Sequence, residues 1–149
     1  MSSYSDALCN DACDGTIEVF STGGTAPYLY LWSDGSSGSI NSSLCAGNYS
    51  VLVNDANGCE DSISQTISEP SPLLANITTI NSTCGDCNGQ ATIQVSGGTG
   101  GYAYNWFNLG SSPTPNTNIG LCPGFFEIQV LDNNNCCLLY TSPSPRDDT

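Results

Sequence analysis

Gly23-Gly24-Thr25-Ala26-Pro27-Tyr28-Leu29-Tyr30-Leu31-Trp32 returns 74 residues later as Gly97-Gly98-Thr99-Gly100-Gly101-Tyr102-Ala103-Tyr104-Asn105-Trp106. In both copies two glycines and a Thr lead into aromatics at every second position, the signature of a strand entered through a turn. A decapeptide repeated in this way points to tandem structural units. Leu44-Cys45-Ala46-Gly47, through Val53-Asn54-Asp55 to Cys59, likewise returns 77 residues on as Leu121-Cys122-Pro123-Gly124, through Val130-Leu131-Asp132 to Cys136. Thr16-Ile17-Glu18-Val19 matches Thr92-Ile93-Gln94-Val95. The offset changes between Trp106 and Leu121, in a Ser/Pro/Asn-rich stretch of the kind in which surface loops tolerate insertion.

The strands around these blocks follow from alternation. Ile17 and Val19 share one face, Tyr28, Tyr30 and Trp32 another, and Tyr49, Val51 and Val53 a third; Ile63 and Ile67 mark a last strand. Glu69-Pro70-Ser71-Pro72 then ends the unit, because Pro cannot donate to a central ladder. Residues 73–80 open the second unit. Leu44-Cys45-Ala46-Gly47-Asn48-Tyr49 reads as the corner of an immunoglobulin-like sandwich, where a Tyr hydroxyl bonds back to the backbone; Phe126 stands at the matching place and would be held by packing. Trp32 and Trp106 fall where such folds bury a Trp. The expected fold is all-β: two tandem immunoglobulin-like β-sandwiches over residues 1–70 and 71–136, the second truncated before its last strand.

Residues 137–149 differ from the rest. Cys137-Leu138-Leu139-Tyr140-Thr141-Ser142-Pro143-Ser144-Pro145-Arg146-Asp147 contains the sole Arg and resembles a translated sequencing adapter, so it is expected to be a non-native tail. Without it the nine Cys become eight, four per unit: Cys9, Cys13, Cys45 and Cys59, then Cys84, Cys87, Cys122 and Cys136. Units of about 75 residues are small for a core alone, which gives disulfides a physical role and points to an oxidising, extracellular setting. Cys84-x-x-Cys87 invites a redox or zinc reading, but Cys9-x3-Cys13 has another spacing and the second pair of each unit is far apart.

Among 149 residues there are 14 Asp and Glu, one Lys or Arg and no His, for a formal charge of −13. Phosphate neutralisation is out of reach, so neither nucleic acid nor an anionic membrane is an expected partner. No stretch approaches the ~20 apolar residues of a membrane span, and Met1-Ser2-Ser3-Tyr4-Ser5-Asp6 lacks the parts of a signal peptide. Without His or Lys, catalysis would fall to carboxylates or thiols, and no acidic pair recurs in a plausible cleft; the chain is not expected to be an enzyme.

The C-D-G or C-N-G start, G-G-T-x-x-Y-x-Y-x-W, L-C-x-G-x-Y or F, and V-x-D-x-N-G-C together resemble the SprB-type repeat of Bacteroidetes gliding-motility and cell-surface adhesins. The similarity covers residues 9–70 and 73–136; Asn133-Asn134-Asn135 replaces the Ala56-Asn57-Gly58 turn. The resemblance implies a fragment of a longer secreted repeat protein, exported by the type IX system, displayed on the cell surface and gripping the substratum or a surface polysaccharide. Four Cys leave three connectivities per unit open. With strands run as in such a sandwich, Cys13 and Cys45 precede strands starting at one end and can meet. Cys9 then goes with Cys59, the two that simpler repeats of the family keep; the second unit would join Cys87 to Cys122 and Cys84 to Cys136.

Two further site readings stand beside the core reading. Tyr28, Tyr30, Tyr102 and Tyr104 could form a sugar-stacking platform, although a Trp on the same strand face speaks for the core. Asp11, Asp14 and Asp55 lie at strand ends where hard oxygens could gather Ca²⁺, the one cofactor considered; no twelve-residue calcium loop is present, and solvated turns are the simpler account. The expected function is a non-enzymatic adhesin fragment whose disulfide-braced modules act multivalently, with neighbouring repeats as partners. A carbohydrate-binding module of a secreted enzyme and a passive stalk are the competitors.

Overall fold

The computed structural model describes residues 1–83, 86–107 and 111–143. Two compact units divide the chain, Met1–Pro70 and Ser71–Thr149.

The first unit contains β1 (Ser2–Ser5), β2 (Gly15–Val19), β3 (Leu29–Trp32), β4 (Ile40–Leu44), β5 (Gly47–Asn54) and β6 (Glu60–Ile67). They form two three-stranded antiparallel sheets, β1-β2-β4 and β3-β5-β6. Alternation sets which side chains meet between the sheets. Ile17 and Val19 from β2 and Leu44 from β4 pack against Trp32, Val51, Val53 and Ile67 of the other sheet. Trp32 is 3% exposed, and its Nε1 donates to the Gly38 carbonyl at 2.9 Å, so the ring is buried with its one polar atom satisfied.

The second unit repeats the plan with β7 (Leu74–Ile80), β8 (Gly89–Ser96), β9 (Ala103–Phe107), β10 (Ser111–Thr114), β11 (Thr117–Leu121), β12 (Phe125–Leu131) and β13 (Cys137–Pro143). Its sheets run β7-β8-β11-β10 and β9-β12-β13. Short β10 is the addition, placed within the stretch where the repeat offset changes.

The second sandwich therefore has its last strand. Against the expectation of truncation and an excluded tail, β13 pairs with β12 over seven residues, from Leu131↔Cys137 to Phe125↔Pro143. The reason is local. Leu138 and Tyr140 alternate inward onto the cluster of Ile93, Ile128 and Val130, while Leu139 points outward at 56% exposure. A period-2 apolar segment placed one turn after β12 meets what that edge requires.

Cys13 is joined to Cys45 and Cys87 to Cys122, each bridge tying the lead-in to β2 or β8 to the corner where the chain crosses to the other sheet. The pairing of Cys9 with Cys59 is not formed: Cys59 is a free, exposed thiol, whereas Cys9 and Cys136 are both disulfide-bonded. Geometry accounts for this. Residues 7–11 are bonded to the far end of β6, through Ala7 N–H to Ser68 O at 2.9 Å and Asp11 N–H to Glu69 Oε2 at 2.8 Å. Cys59 precedes the start of the same eight-residue strand. About 26 Å of strand separates the two ends, against the ~6 Å a disulfide spans between Cα atoms. The Cys84 to Cys136 pairing lies outside the described residues, since Cys84 is not among them.

At the corner, Tyr49 Oη donates to the Cys45 carbonyl at 3.0 Å. Phe126 keeps the second corner by packing alone, 2% exposed, with its ring 5.8 Å from that of Trp106. Each unit also has a one-residue bulge ahead of the corner, at Ser43 (φ 59°) and at Gly120 (φ 77°), where the β2–β4 and β8–β11 registers shift.

Candidate functional site

The repeated motifs come together at one end of each sandwich, where the loop before β3 meets the turn between β5 and β6. Asp55 is the organiser. Its Oδ1 accepts the N–H groups of Asn57 at 2.9 Å and Cys59 at 2.8 Å, and its Oδ2 accepts that of Thr25 at 3.0 Å. Ala56 N–H closes the knot by donating to Thr25 O at 2.8 Å, and Asn57 Nδ2 donates to Thr25 Oγ1 at 2.9 Å. Gly58 turns the chain at φ 82°.

The second unit rebuilds this with different neighbours. Asp132 Oδ1 accepts Asn134 and Cys136 N–H, both at 2.9 Å, and its Oδ2 accepts Thr99 N–H at 2.9 Å. Asn133 N–H donates to Gly100 O at 3.0 Å. Asn135 takes the left-handed place of Gly58, at φ 63°, a conformation Asn tolerates better than most residues. The N-N-N sequence therefore changes the residues of the turn and keeps its shape.

Amide donors also set the electrostatics. The N–H groups of Cys59 and Thr25 hold the Asp55 carboxyl below the usual carboxylate range. Burial of Asp132, which is 4% exposed, would raise its pKa, but the N–H groups of Thr99, Cys136 and Asn134 together outweigh it and lower it. Asp34 is lowered by the Ser36 hydroxyl, then by Asn41, whose Nδ2 donates at 2.9 Å. Residues 1–143 contain no Lys, Arg or His, so backbone and side-chain dipoles do this work alone.

The calcium set is not assembled. Asp11 and Asp14 lie at the opposite end of the first unit from Asp55, with Asp14 accepting Leu8 N–H at 3.0 Å. A β-strand's length therefore lies between them and the Asp55 knot. Among the described residues no group of three His, Cys, Asp or Glu is placed to hold a metal ion.

Nor do the tyrosines form an exposed row. Tyr28 and Tyr30 pack on the first core, and Tyr102 and Tyr104 on the second. Three of the hydroxyls close local bonds instead: Tyr28 to Gly23 O, Tyr30 to Ser21 Oγ at 2.9 Å and Tyr102 to Gly97 O at 2.6 Å. The sugar platform is corrected by the strand's own pleat, because the side chains sharing the Trp32 face all point inward. The outer face of β3 presents Leu29 and Leu31 instead, at 69% and 59% exposure. Their alternation with the aromatics was the available signal for it.

One concavity adjoins the knot of the first unit. It encloses about 250 Å³ between Met1, Phe20, Gly23, Gly24, Tyr28 and Ile63, with Asp55 and Cys59 on its wall. Among the described residues no helix is long and apolar enough to cross a membrane.

The SprB repeat model matches the chain twice, over residues 2–37 and 76–111. A comparison with curated proteins gives no match. Among solved structures, a C-terminal 282-residue fragment of intimin, in complex with the intimin-binding domain of the translocated intimin receptor, is similar with a TM-score of 0.52 and 14% identity. That likeness covers 97% of this chain and 63% of the fragment, so the chain spans under two thirds of it. An amphioxus IgVJ-C2 molecule is matched at 13% identity over 91% of this chain and 98% of the other, with a TM-score of 0.36. The intimin likeness establishes an immunoglobulin-like β-sandwich.

Proposed function

From two SprB-type repeats in tandem as the premise, we propose that the chain is a stretch of an extracellular, non-enzymatic surface adhesin that acts through many weak contacts. The observation that carries this reading is the fate of the repeated side chains. Asp55 and Asp132, Thr25 and Thr99, Tyr28 and Tyr102, and both Trp residues are consumed in building the sandwich. What the two units share is architecture, and what differs is the outward face. Modules of that kind contribute to adhesion by number: each contact is weak, and joining several raises avidity without any tight pocket.

Two disulfides within the units support an oxidising location, outside the cytoplasm. The intimin fragment, similar in fold, is itself seen with a receptor domain. Surface polysaccharide or substratum is the partner this reading names, and carriage by a gliding machinery is its most specific form. The test is retention on glycan arrays and on abiotic surfaces of chains carrying two, four and eight units. Retention should rise more steeply than unit number. A two-unit chain retained as strongly as an eight-unit one would overturn multivalency, and no retention at any length would favour a passive stalk.

A further inference from the structure

The two units differ at one place where their sequences agree. In the second unit the segment Ser71-Pro72-Leu73, which leads into β7, lies across the Gly97-Gly98 turn. Gly98 N–H donates to Ser71 O at 2.8 Å. A methyl group added at Gly98 would fall 2.8 Å from Leu73 Cδ2, and one added at Gly97 would strike the Pro72 carbonyl. Leu73 is half-buried there, beside the Asp132 knot.

In the first unit the matching turn is Gly23-Gly24, and a methyl added at Gly23 meets nothing within 4 Å. The 250 Å³ concavity lies over this turn. The registers show what should enter it. Phe20 N–H donates to Met1 O at 2.8 Å, and Leu74 pairs with Ser96, so Met1 and Leu74 hold equivalent places at the starts of β1 and β7. The residue joined ahead of Met1 is thus the counterpart of Leu73. Its lining is mixed: Val19, Tyr28, Val53 and Ile63 offer contacts for an aliphatic side chain beside the carboxylates of Asp55, Glu60 and Asp61, and Gly24 N–H is the counterpart of the Gly98 donor.

We propose that this concavity is a docking seat for an inter-unit linker of Ser-Pro-Leu chemistry, entering ahead of β1 as Ser71-Pro72-Leu73 enters ahead of β7. Each unit then binds the linker that precedes it, and the Gly-Gly-Thr motif is the receptor for that linker as well as the turn before β3. The inference goes beyond adhesion and stands on packing alone, so failure of surface retention leaves it intact.

The experiment uses the full chain with a copy of residues 68–73 joined directly ahead of Met1. Amide hydrogen exchange at Gly24 should slow at least tenfold, and the Tyr28 and Ile63 resonances should shift. A control extension whose copy carries Leu73→Ser and Pro72→Gly should do neither. Leu73→Ser in the native linker should speed exchange at Gly98 by a comparable factor, with β12 amides still protected as evidence of folding. Unchanged exchange at Gly24 with the native copy, or equal slowing by the control, would overturn the seat. So would cellohexaose or chitohexaose shifting Tyr28 and Ile63 in the unextended chain and remaining bound in the extended one.

Discussion

Ser43 and Gly120 occupy the same bulge with the same left-handed backbone, at φ 59° and 77°. The Ser Cβ is strained there and the glycine is not, at a cost on the order of 1 kcal/mol. Ser43→Gly should therefore raise the denaturant midpoint of the first unit, while Gly120→Ser should lower that of the second; equal and opposite shifts near that size are the expected result. Tyr49→Phe removes the hydroxyl donated to Cys45 O and should cost about 1 kcal/mol, leaving a corner like the one at Phe126. The carboxylates give a pH signature. Asp34, Asp55 and Asp132 all have pKa values lowered by folding. Their stabilisation is complete above the ordinary carboxylate value of about 3.9 and is lost as pH falls through the lower folded values. Thermal midpoints should be level from neutral pH to about 5 and fall below about 4, on the order of the ordinary carboxylate pKa. The double variant Asp55→Asn and Asp132→Asn should start lower and vary less, and a wild-type midpoint unchanged down to pH 2 would refute the account.

The Cys13–Cys45 bridge closes a loop of sequence separation 32 between the opening of β2 and the β4–β5 corner. In the chain-entropy account that contributes about 3 to 4 kcal/mol, so Cys45→Ala should lower the first unit's stability by about that much in denaturant titrations. Ending the chain after Cys136 should expose the β12 edge and speed exchange of its amides, with β7 and β8 less affected. Three elements are legible in the sequence because alternation is strong in them: β2, β3 and β5 carry apolar residues at every second place, while β6 shows only through Ile63 and Ile67, with Gln65 between them. β4 was not, since Ile40-Asn41-Ser42-Ser43-Leu44 has its buried positions broken by the bulge. β13 was set aside on grounds of composition, whereas its pairing depends only on where Leu138 and Tyr140 fall. The Cys9–Cys59 pairing failed because elimination takes no account of distance along a strand. Of the site, sequence marked Asp55 and the Gly-Gly-Thr turn as special, but their mutual bonds depend on a loop-to-turn contact across 30 residues.

At the scale of the whole molecule the formal charge is −13, and its one cationic side chain, Arg146, lies beyond residue 143. Ion-pair proteins lose surface attractions when salt is added; this one has self-repulsion to lose instead. Its thermal midpoint should rise between 10 mM and 500 mM NaCl, about the range over which the Debye length shrinks several-fold. A falling midpoint would mean that attraction, and not repulsion, dominates the charge balance. The two amide-caged aspartates have a last consequence. A fold whose determinants lie in its interior and at the two ends of its strands leaves the outward strand positions at liberty, so copies can be multiplied by duplication and each face can drift on its own. Length and surface chemistry then become separate variables, and an array can present a mosaic of textures while every tile keeps the same frame.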